Sequence, residues 1–533
     1  MWDLWQYLVA GGLIIGLHVL AAVFLQYFSR AHVATEQARI HAKGLSICYG
    51  VYQDQGRRVT MEDAHTSIPD LLGEQGSVHV SVFAVFDGHS GPVAASFAAE
   101  QLPSCILDAW PDALARDELV SAFGKACRAL DNRFLHSARK LNLFDGTTCI
   151  CTALVDASTK QDYNLVAVTA NIGDSRAILC REVEASTLLG AIKGLERRAS
   201  YPTTSSDEGS WHPNTPRKVL KGYRTASHLI VPLSIDQKPH NPTEKQRIEA
   251  SGGFVHPFVY IEEENLIIRG PHRIFPGGLA VSRALGDLPF KSLRSLEALG
   301  ISAPLVVADP VVSYIRLQES DKFILQGCDG LWDTISSMEA VIFILITKLL
   351  LDISSMQVPE LRRHRKRLRA ALRRLAVPLI NDAALAISES LCHHAKAKGS
   401  TDNISIGILF LHARDRPFYT FLDQYDVEAL VSGLVFTMDT IHTFDDLISV
   451  FQGFVDIDGE KDGIFKSNIM FTDLCNADHT QIANNTLALW DQFTERQISM
   501  SDVRDSTVLT GILEFGKSQQ LPKAQRSVKV PGA

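Results

Sequence analysis

The stretch VSVFAVFDGHSG, residues 80–91, decides how the rest of the chain is interpreted. Residues 80–86 form an almost wholly apolar run that is too short for a typical helix, which predicts a largely buried β-strand. The strand ends on Asp-Gly-His at 87–89, where a carboxylate, a bare backbone and an imidazole lie together. Ser90 and Pro92 then predict the N-cap and first turn of a helix through 94–102. Alone, this tripeptide is equally typical of an ordinary polar turn.

Length and composition restrict the possible functions. A chain of 533 residues is too long for one ordinary core, which predicts a large domain with extensions. The net charge of −8 argues against the whole chain being a nucleic-acid binder. Nine cysteines are scattered without a CxxC pair, which indicates apolar packing in a reducing compartment and neither a disulfide framework nor a zinc site.

The N-terminal segment predicts a membrane anchor. Residues 4–28 contain no formally charged residue and are long enough to cross a bilayer as a helix. Tryptophan and tyrosine lie near both ends of the segment, and Arg30, Arg39 and Lys43 follow it. This pattern predicts a single-pass protein, and because the basic side of such an anchor is normally cytoplasmic, the bulk of the chain is expected to face the cytosol. A cleaved signal peptide is the alternative, but the basic n-region of such a peptide is absent.

The following residues are predicted to form a stalk and then a large domain. Residues 29–45 are interpreted as a helical or flexible stalk. The alternating pattern of GRRVTMEDAH, 56–65, predicts a strand that delivers Arg58, Glu62 and Asp63. Helices are predicted within 104–142 and before Gly252. Strands are predicted within 146–158 and 164–180, in the stretch that begins at Leu229, at Phe323–Leu325 and in the part of 399–411 that follows Asn403.

Two insertions and a C-terminal extension complete the predicted organisation. The first insertion, 182–228, is disordered by composition. The second, about 355–378, carries a basic helix, Leu361–Leu375, interpreted either as a solvated face resting on the domain or as a contact for anionic lipid or an acidic partner. Residues 413–533 are predicted to be partly helical with a disordered tail. Within them, 456–465 is an acidic turn, because a calcium loop needs a glutamate where Ile469 stands.

Four acidic residues share one predicted position, at the end of a strand or directly before one: Asp63, Asp87, Asp329 and Asp402. Together they predict a carboxylate-lined pocket that suits hard divalent cations, magnesium or manganese. Two such ions can share a bridging water, lower its pKa and direct it at phosphorus. Arg58 suits a phosphate dianion, and His89 is placed to protonate a departing oxygen.

Eight motifs in fixed order carry a resemblance to a known family. The chain resembles the metal-dependent serine/threonine protein phosphatases of type 2C, the PPM family, over about residues 46–412. The resemblance implies an α+β fold, a four-layer α-β-β-α sandwich of two antiparallel sheets flanked by helices, to which this chain adds the N-terminal transmembrane helix. The motifs are GRRVTMEDAH, FAVFDGHSG, GTT, NIGDSRAIL, EKQRIEASGGFV, LAVSRALGD, CDGLWD and STDNIS.

The resemblance also implies a role for each matching residue. Arg58 is implied to bind phosphate and His89 to act as the general acid. The resemblance implies that Asp87 bridges two metal ions, that Gly88 binds through its carbonyl, and that Asp174 serves a third, weaker ion. It leaves open whether Glu62 and Asp63 act directly or through bound water. The full set of implied metal ligands is Glu62, Asp63, Asp87, Gly88, Asp174, Asp329 and Asp402. A loop beside the site is implied to have a structural role and contains Ser282, Arg283 and Asp287. Departures from the family pattern, none of which removes a ligand, are Gln237, Thr148, Cys149 and Cys328.

The function implied is hydrolysis of phosphoserine and phosphothreonine by direct attack of a metal-bridging water. The cofactors expected from the resemblance are two magnesium or manganese ions, with a third ion as an open alternative. The expected partners are phosphoprotein substrates and, through the N-terminal helix, membrane lipid. No nucleic-acid partner is expected, and the catalytic domain is expected to be monomeric. A non-catalytic membrane scaffold of the same fold is the alternative function, and a small phosphate ester is a further candidate substrate.

Overall fold

The computed structural model describes residues 34–42, 45–73, 78–158, 164–184, 226–262, 266–355, 365–380 and 382–413, with residues 443, 446 and 470–473. The predicted membrane span at 4–28 lies outside the described residues, as do most of the first insertion and most of the C-terminal extension. Within the described ranges, no helix combines the length and the apolar character needed to cross a bilayer.

The first sheet has seven strands in the order β1-β2-β14-β13-β7-β8-β15, antiparallel except for the β15–β8 pair. Its central strands are apolar and buried, as expected for strands covered on both faces. The strands are β1 (Ala34–Ala42), β2 (Leu45–Asp54), β7 (Arg176–Glu184), β8 (Ala226–Pro232), β13 (Asp321–Gly327), β14 (Ile404–Ala413) and β15 (Met470–Asp473).

The second sheet is also antiparallel and has the order β12-β6-β5-β4-β3, with the short β11 paired to β5. A separate hairpin of β9 and β10 lies outside both sheets. The strands are β3 (Ala64–Ile68), β4 (His79–His89), β5 (Gly146–Asp156), β6 (Leu165–Ile172), β9 (Phe254–Glu262), β10 (Leu266–Phe275), β11 (Leu285–Gly286) and β12 (Val311–Arg316).

Helices cover the outer faces of both sheets and connect them to the loops around the site. They are α1 (Val93–Asp108), α2 (Arg116–Leu141), α3 (Pro242–Ala250), α4 (Leu288–Lys291), α5 (Leu293–Glu297), α6 (Asp329–Trp332), α7 (Ser337–Ser355), α8 (Arg365–Arg374) and α9 (Ala383–Ala397).

Three apolar clusters establish the layers. Side chains from both sheets meet in the central cluster, where Tyr49 of β2 packs on Phe83 of β4 with ring centroids 4.3 Å apart. A second cluster joins the first sheet to α7, α8 and α9, and a third joins the second sheet to α1 and α2. Two antiparallel sheets thus pack face to face between helical layers, which confirms the mixed α and β architecture expected from the sequence.

Three local predictions were wrong. The predicted stalk is strand β1 from Ala34 onward, and it extends the first sheet at its edge. Residues 55–63 form a loop instead of a strand, and Val59 is 95% exposed, so the apolar alternation there does not mark a buried face. Ser90 does not cap α1. The N-cap is Pro92, and the free amide of Val93 is satisfied by the side chain of Asp145 at 3.1 Å.

The basic helix α8 rests on the domain by one face. Leu368, Ala371 and Leu372 are buried in the cluster beneath the first sheet. The opposite side carries the exposed basic residues Lys366, Arg367, Arg369, Arg373 and Arg374. This packing agrees with the interpretation of α8 as a helix that rests on the domain with its other face in solvent. Contact of that face with lipid stays a prediction.

Candidate metal and phosphate site

The end of β4 brings Asp87 and Gly88 to one edge of the sandwich. Their strand is held on one side by β5, where Asp87 pairs with Thr148 and Gly88 with Thr147. A Cβ atom on Gly88 would lie 2.3 Å from the carbonyl oxygen of Glu62, so only glycine allows the 55–63 loop to pass this closely. The predicted need for a bare backbone at residue 88 therefore has a steric reason.

The structure brings four predicted acidic residues together in two overlapping groups. Oxygens of Asp87, Asp174 and Asp329 lie within 4.8 Å of one another, and the same limit holds for ligand atoms of Asp63, Asp87 and Cys328. Asp87 belongs to both groups, as the resemblance implies for a carboxylate that bridges two ions. The backbone N–H of Asp329 donates to Asp87 Oδ2 at 3.5 Å, which joins the ends of β4 and β13.

Burial and mutual repulsion oppose the charge on these groups. Burial raises the pKa of Asp63 to about 7, although hydrogen bonds from Ser405 and Cys328 act to lower it. Burial, and then the neighbouring carboxylate of Asp329, holds the pKa of Asp87 well above its ordinary value. Burial and then Asp174 do the same to the pKa of Asp329. Divalent cations would relieve this repulsion, so the residues present fit the metal centre that the sequence predicted.

Asp402 and its neighbour Asn403 hold the 55–63 loop in place. Asn403 Oδ1 accepts from the backbone N–H of Glu62 at 2.8 Å, and its Nδ2 donates to the carbonyls of Gln55 and Thr60. The guanidinium of Arg58 donates to Asp402 Oδ2 at 2.5 Å and is 57% exposed. Arg58 thus lies at the mouth of the site with room for an anion. Sequence reasoning did not assign a role to Asn403, although its place directly after Asp402 was a usable signal.

Glu62 stands apart from the two acidic groups. Its carboxylate accepts from Thr60 Oγ1 at 2.9 Å and from the backbone N–H of Gly91 at 3.3 Å. It is therefore oriented toward the start of the loop after β4. The sequence left open whether this residue acts directly or through bound water, and this position agrees with an indirect role. Asp63, in contrast, accepts from Ser405 Oγ at 2.6 Å inside the site.

His89 is held by a residue that the sequence treated as structural. Its Nε2–H donates to both carboxylate oxygens of Asp287, at 3.0 and 2.9 Å. A Cβ atom at Gly146 would lie 2.3 Å from this ring nitrogen and 2.4 Å from Asp287 Oδ2, so the glycine makes room for the pair. Burial alone would lower the pKa of His89, but the Asp287 carboxylate raises it above its ordinary value. The protonated imidazole is the form that can act as an acid.

Ser282 and Arg283 fix the loop that carries Asp287. Ser282 donates through its backbone and its hydroxyl to the carbonyl of Gln237, at 3.1 and 2.7 Å. Arg283 donates to Glu244 Oε1 of α3, at 3.1 Å through Nε and 2.5 Å through Nη2. These contacts agree with the structural role implied for both residues. They also explain how a residue 198 positions away in the chain reaches His89.

A lysine that the sequence analysis did not single out lies beside Asp174. Lys238 Nζ is 3.3 Å from Asp174 Oδ2 and 3.5 Å from Asp333 Oδ1. Lys238 directly follows Gln237, the departure from the family pattern. Gln237 Oε1 accepts from the backbone N–H of Gly173 at 2.6 Å, which attaches this loop to the β6–β7 turn. The sequence signal for Lys238 was only its position directly after Gln237.

The family profile and the curated relatives that match this sequence agree on one family. A family profile described as protein phosphatase 2C matches residues 47–190 and 219–404. Protein phosphatase 2C 1 of Paramecium tetraurelia is 30% identical over 300 residues, which cover 56% of this chain and 77% of that protein. Protein phosphatase 2C homolog 3 of Schizosaccharomyces pombe is 30% identical over 314 residues, 58% of this chain and 57% of its own length. The crystal structure of serine-threonine phosphatase 2C from Toxoplasma gondii is 19% identical with a TM-score of 0.44, covering 71% of this chain and 99% of that one.

Proposed function

This chain belongs to the protein phosphatase 2C family, and we propose that it hydrolyses phosphoserine and phosphothreonine in proteins with the help of two magnesium or manganese ions. The observation that carries the proposal is the shared position of Asp87, whose carboxylate belongs to both groups of closely spaced ligand atoms. All the acidic residues expected to hold metal are present. A non-catalytic scaffold would not need to retain a buried, mutually repelling set of this kind.

Each polar group has a defined task in this reaction. Asp63, Asp87, the Gly88 carbonyl, Asp329 and Asp402 would hold the ions. When bound, the ions supply Lewis acidity that lowers the pKa of water and offsets charge on the phosphate. Arg58 binds the phosphate dianion through its planar, permanently charged guanidinium.

Proton delivery falls to His89. The protonated ring carries a second proton, on Nδ1, that can be given to the serine or threonine oxygen as that group departs. Asp287 meanwhile accepts from Nε2–H and keeps the ring oriented and protonated. The alkoxide of serine is a poor leaving group without a proton. The same pocket chemistry would serve a small phosphate ester, so the choice of substrate has to be measured.

The test compares protein and small-molecule substrates with and without metal. The full chain is freed of metal with chelator and assayed on a phosphoserine peptide before and after manganese is added. Activity should need the metal, and Asp329→Asn should lower turnover by a factor on the order of 100 or more. The matched control is Asp309→Asn, because Asp309 is exposed and pairs with Arg128 on the surface.

Three results would contradict the proposal. Full activity in chelator would exclude metal dependence, and an inert wild-type protein that still binds metal would favour the scaffold. Preference for a small phosphate ester over every phosphopeptide would change the substrate class.

The enzyme acts at a membrane, with its active site in the cytosol. The support is in the sequence: residues 4–28 are free of formal charge, aromatic residues lie near both ends, and Arg30 follows. The exposed basic face of α8 adds contact with anionic headgroups, at about 1 kcal/mol for each lysine or arginine that reaches the surface.

Fractionation tests the anchor, and vesicle binding tests the helix. Full-length protein should stay with membranes in carbonate, whereas a chain lacking residues 4–28 should be released. Glutamine at Arg367, Arg369 and Arg373 should weaken binding of the released form to vesicles containing phosphatidylserine. Release of the full-length protein by carbonate, or protection of the catalytic part from protease in sealed vesicles, would exclude a cytosol-facing anchor.

A further inference from the structure

The carboxylate of Asp174 is satisfied on one oxygen only. The side chain is 5% exposed, and Oδ2 lies 3.3 Å from Lys238 Nζ. Its other oxygen, Oδ1, is buried and has no hydrogen-bond partner among the described residues. Oxygens of Asp174, Asp87 and Asp329 lie within 4.8 Å of one another. An unpartnered buried oxygen next to two further carboxylates marks a place for a cation.

Lys238 already brings a positive charge to this place. Its ammonium lies between Asp174 and Asp333, at 3.3 and 3.5 Å, and its side chain is 29% exposed. Because an ordinary lysine is protonated at neutral pH, this ammonium places one full positive charge between the two carboxylates.

The backbone that carries Lys238 is held rigidly. Gln237 exchanges backbone and side-chain hydrogen bonds with Gly173, at 2.8 and 2.6 Å, and its Nε2 donates to the carbonyl of Asn171 at 3.2 Å. Asp236 accepts two hydrogen bonds from Arg176, at 2.9 and 2.7 Å. The loop thus delivers the lysine stem to Asp174 in a fixed position, whereas the flexible side chain leaves the ammonium free to move into solvent.

From this geometry we propose that Lys238 is the resident counter-ion of Asp174 and Asp333, and that it limits the centre to two tightly held divalent ions. A third ion binds at Asp174 only by displacing the ammonium, because two cations a few ångströms apart repel each other. The inference rests on the proposed metal-dependent function. It makes Lys238 a positioning residue that sets how many ions the centre holds at a given metal concentration.

The inference is tested by counting the metal ions that the Lys238→Met variant binds. Methionine keeps most of the length of the lysine side chain and removes its charge. Metal-free full-length protein is titrated with manganese, and free Mn²⁺ is followed by electron paramagnetic resonance. The variant should bind its weakest ion about tenfold or more tightly than the wild type, while the two tighter affinities stay within about twofold. Lys238→Arg, which keeps the charge, should behave as the wild type.

Two controls place the effect at Asp174. Lys245→Met removes a lysine that pairs with Glu249 on the surface of α3, and it should change no metal affinity. Asp174→Asn in the Lys238→Met background should abolish the gain. An unchanged or weakened third affinity in Lys238→Met would overturn the inference. A wild-type protein that binds no manganese would instead contradict the proposed function, so the two failures are distinguishable.

Discussion

At the scale of single residues, the contact between His89 and Asp287 bears on the proposed proton transfer. Replacing His89 with glutamine keeps a polar side chain near Asp287 but removes the transferable proton. We expect turnover of a phosphoserine peptide to fall by about 100-fold or more. An aryl phosphate should lose much less, because a phenolate leaves without a proton. The measurement is kcat on both substrates at saturating manganese.

The control for this substitution is His136→Gln, since His136 is an exposed histidine of α2. Asp287→Asn should also slow the phosphoserine peptide more than the aryl phosphate, but by a smaller factor. Without the carboxylate, the imidazole of His89 keeps its proton less firmly. Equal losses on the two substrates would mean that His89 only supports the fold of the site.

Single residues also show where the sequence was sufficient. Asp87, Asp329 and Asp402 could be predicted because each stands directly beside a recognisable apolar strand. The Asp287 contact and the Lys238 contact could not, because both residues lie in loops without periodicity. Their positions depend on long-range hydrogen bonds, such as those of Ser282 and Gln237, that no local pattern encodes.

At the scale of elements, α3 is tied to the site loop by a buried glutamate. Glu244 accepts from Arg283 and Arg247, with shortest distances of 2.5 and 3.1 Å. Burial alone would raise the pKa of Glu244, but the two arginines, Arg283 first, lower it below the ordinary value. Glu244→Gln should therefore reduce the free energy of unfolding at pH 7 by about 2 kcal/mol or more.

The pH dependence of that loss follows from the direction of the shift. Because the folded pKa is lowered, the stabilisation is complete above the ordinary glutamate pKa of about 4.3 and is lost as the pH falls through the folded value. Urea unfolding should give the same gap between wild type and Glu244→Gln at pH 7 and pH 5, and a smaller gap below about pH 4. Glu249→Gln, at an exposed position of α3, should show no such gap.

The helix α8 allows a test of its inner and outer faces. Leu372 is fully buried in the cluster beneath the first sheet, so Leu372→Ala should cost about 2–5 kcal/mol in chemical unfolding. Leu379→Ala, at an exposed leucine beyond the helix, should stay within about 0.5 kcal/mol. A small loss at Leu372 would mean that α8 is only loosely attached to the domain.

Some helices and strands could be predicted from the sequence, and others could not. Strands β4, β5, β6 and β13 were predictable because strands covered on both faces are continuous apolar runs. Strand β1 was not, because among the described strands it lies at the sheet edge and pairs with β2 alone, and its sequence ATEQARIHA is largely polar. The strand prediction for residues 55–63 was wrong because apolar and polar residues alternate there as they do in a strand, although the segment is a loop.

At the scale of the whole molecule, metal should stabilise the fold as well as permit catalysis. Ions that bind the native carboxylates and not the unfolded chain add stability by mass action, about 2.7 kcal/mol at 100 times the Kd. We expect manganese to raise the Tm of the chelator-treated protein by about 5 °C. Asp329→Asn should respond less than Asp309→Asn. Equal shifts in both variants would show that the stabilising ions bind elsewhere.

The register of the first sheet has a consequence for where the enzyme can work. Ala34 pairs with Gln53, and Gln53 pairs with Ser405, whose hydroxyl binds Asp63. Ala34, the first residue that the structure describes, therefore lies two strand spacings, about 10 Å, from Ser405 at the edge of the sheet that carries the acidic residues. Under the proposed anchor, a stretch of five residues can span at most about 18 Å between the end of the predicted membrane segment and Ala34. Phosphorylated segments borne by the same membrane would then meet the active site at a high effective concentration, and proximity would select substrates alongside sequence.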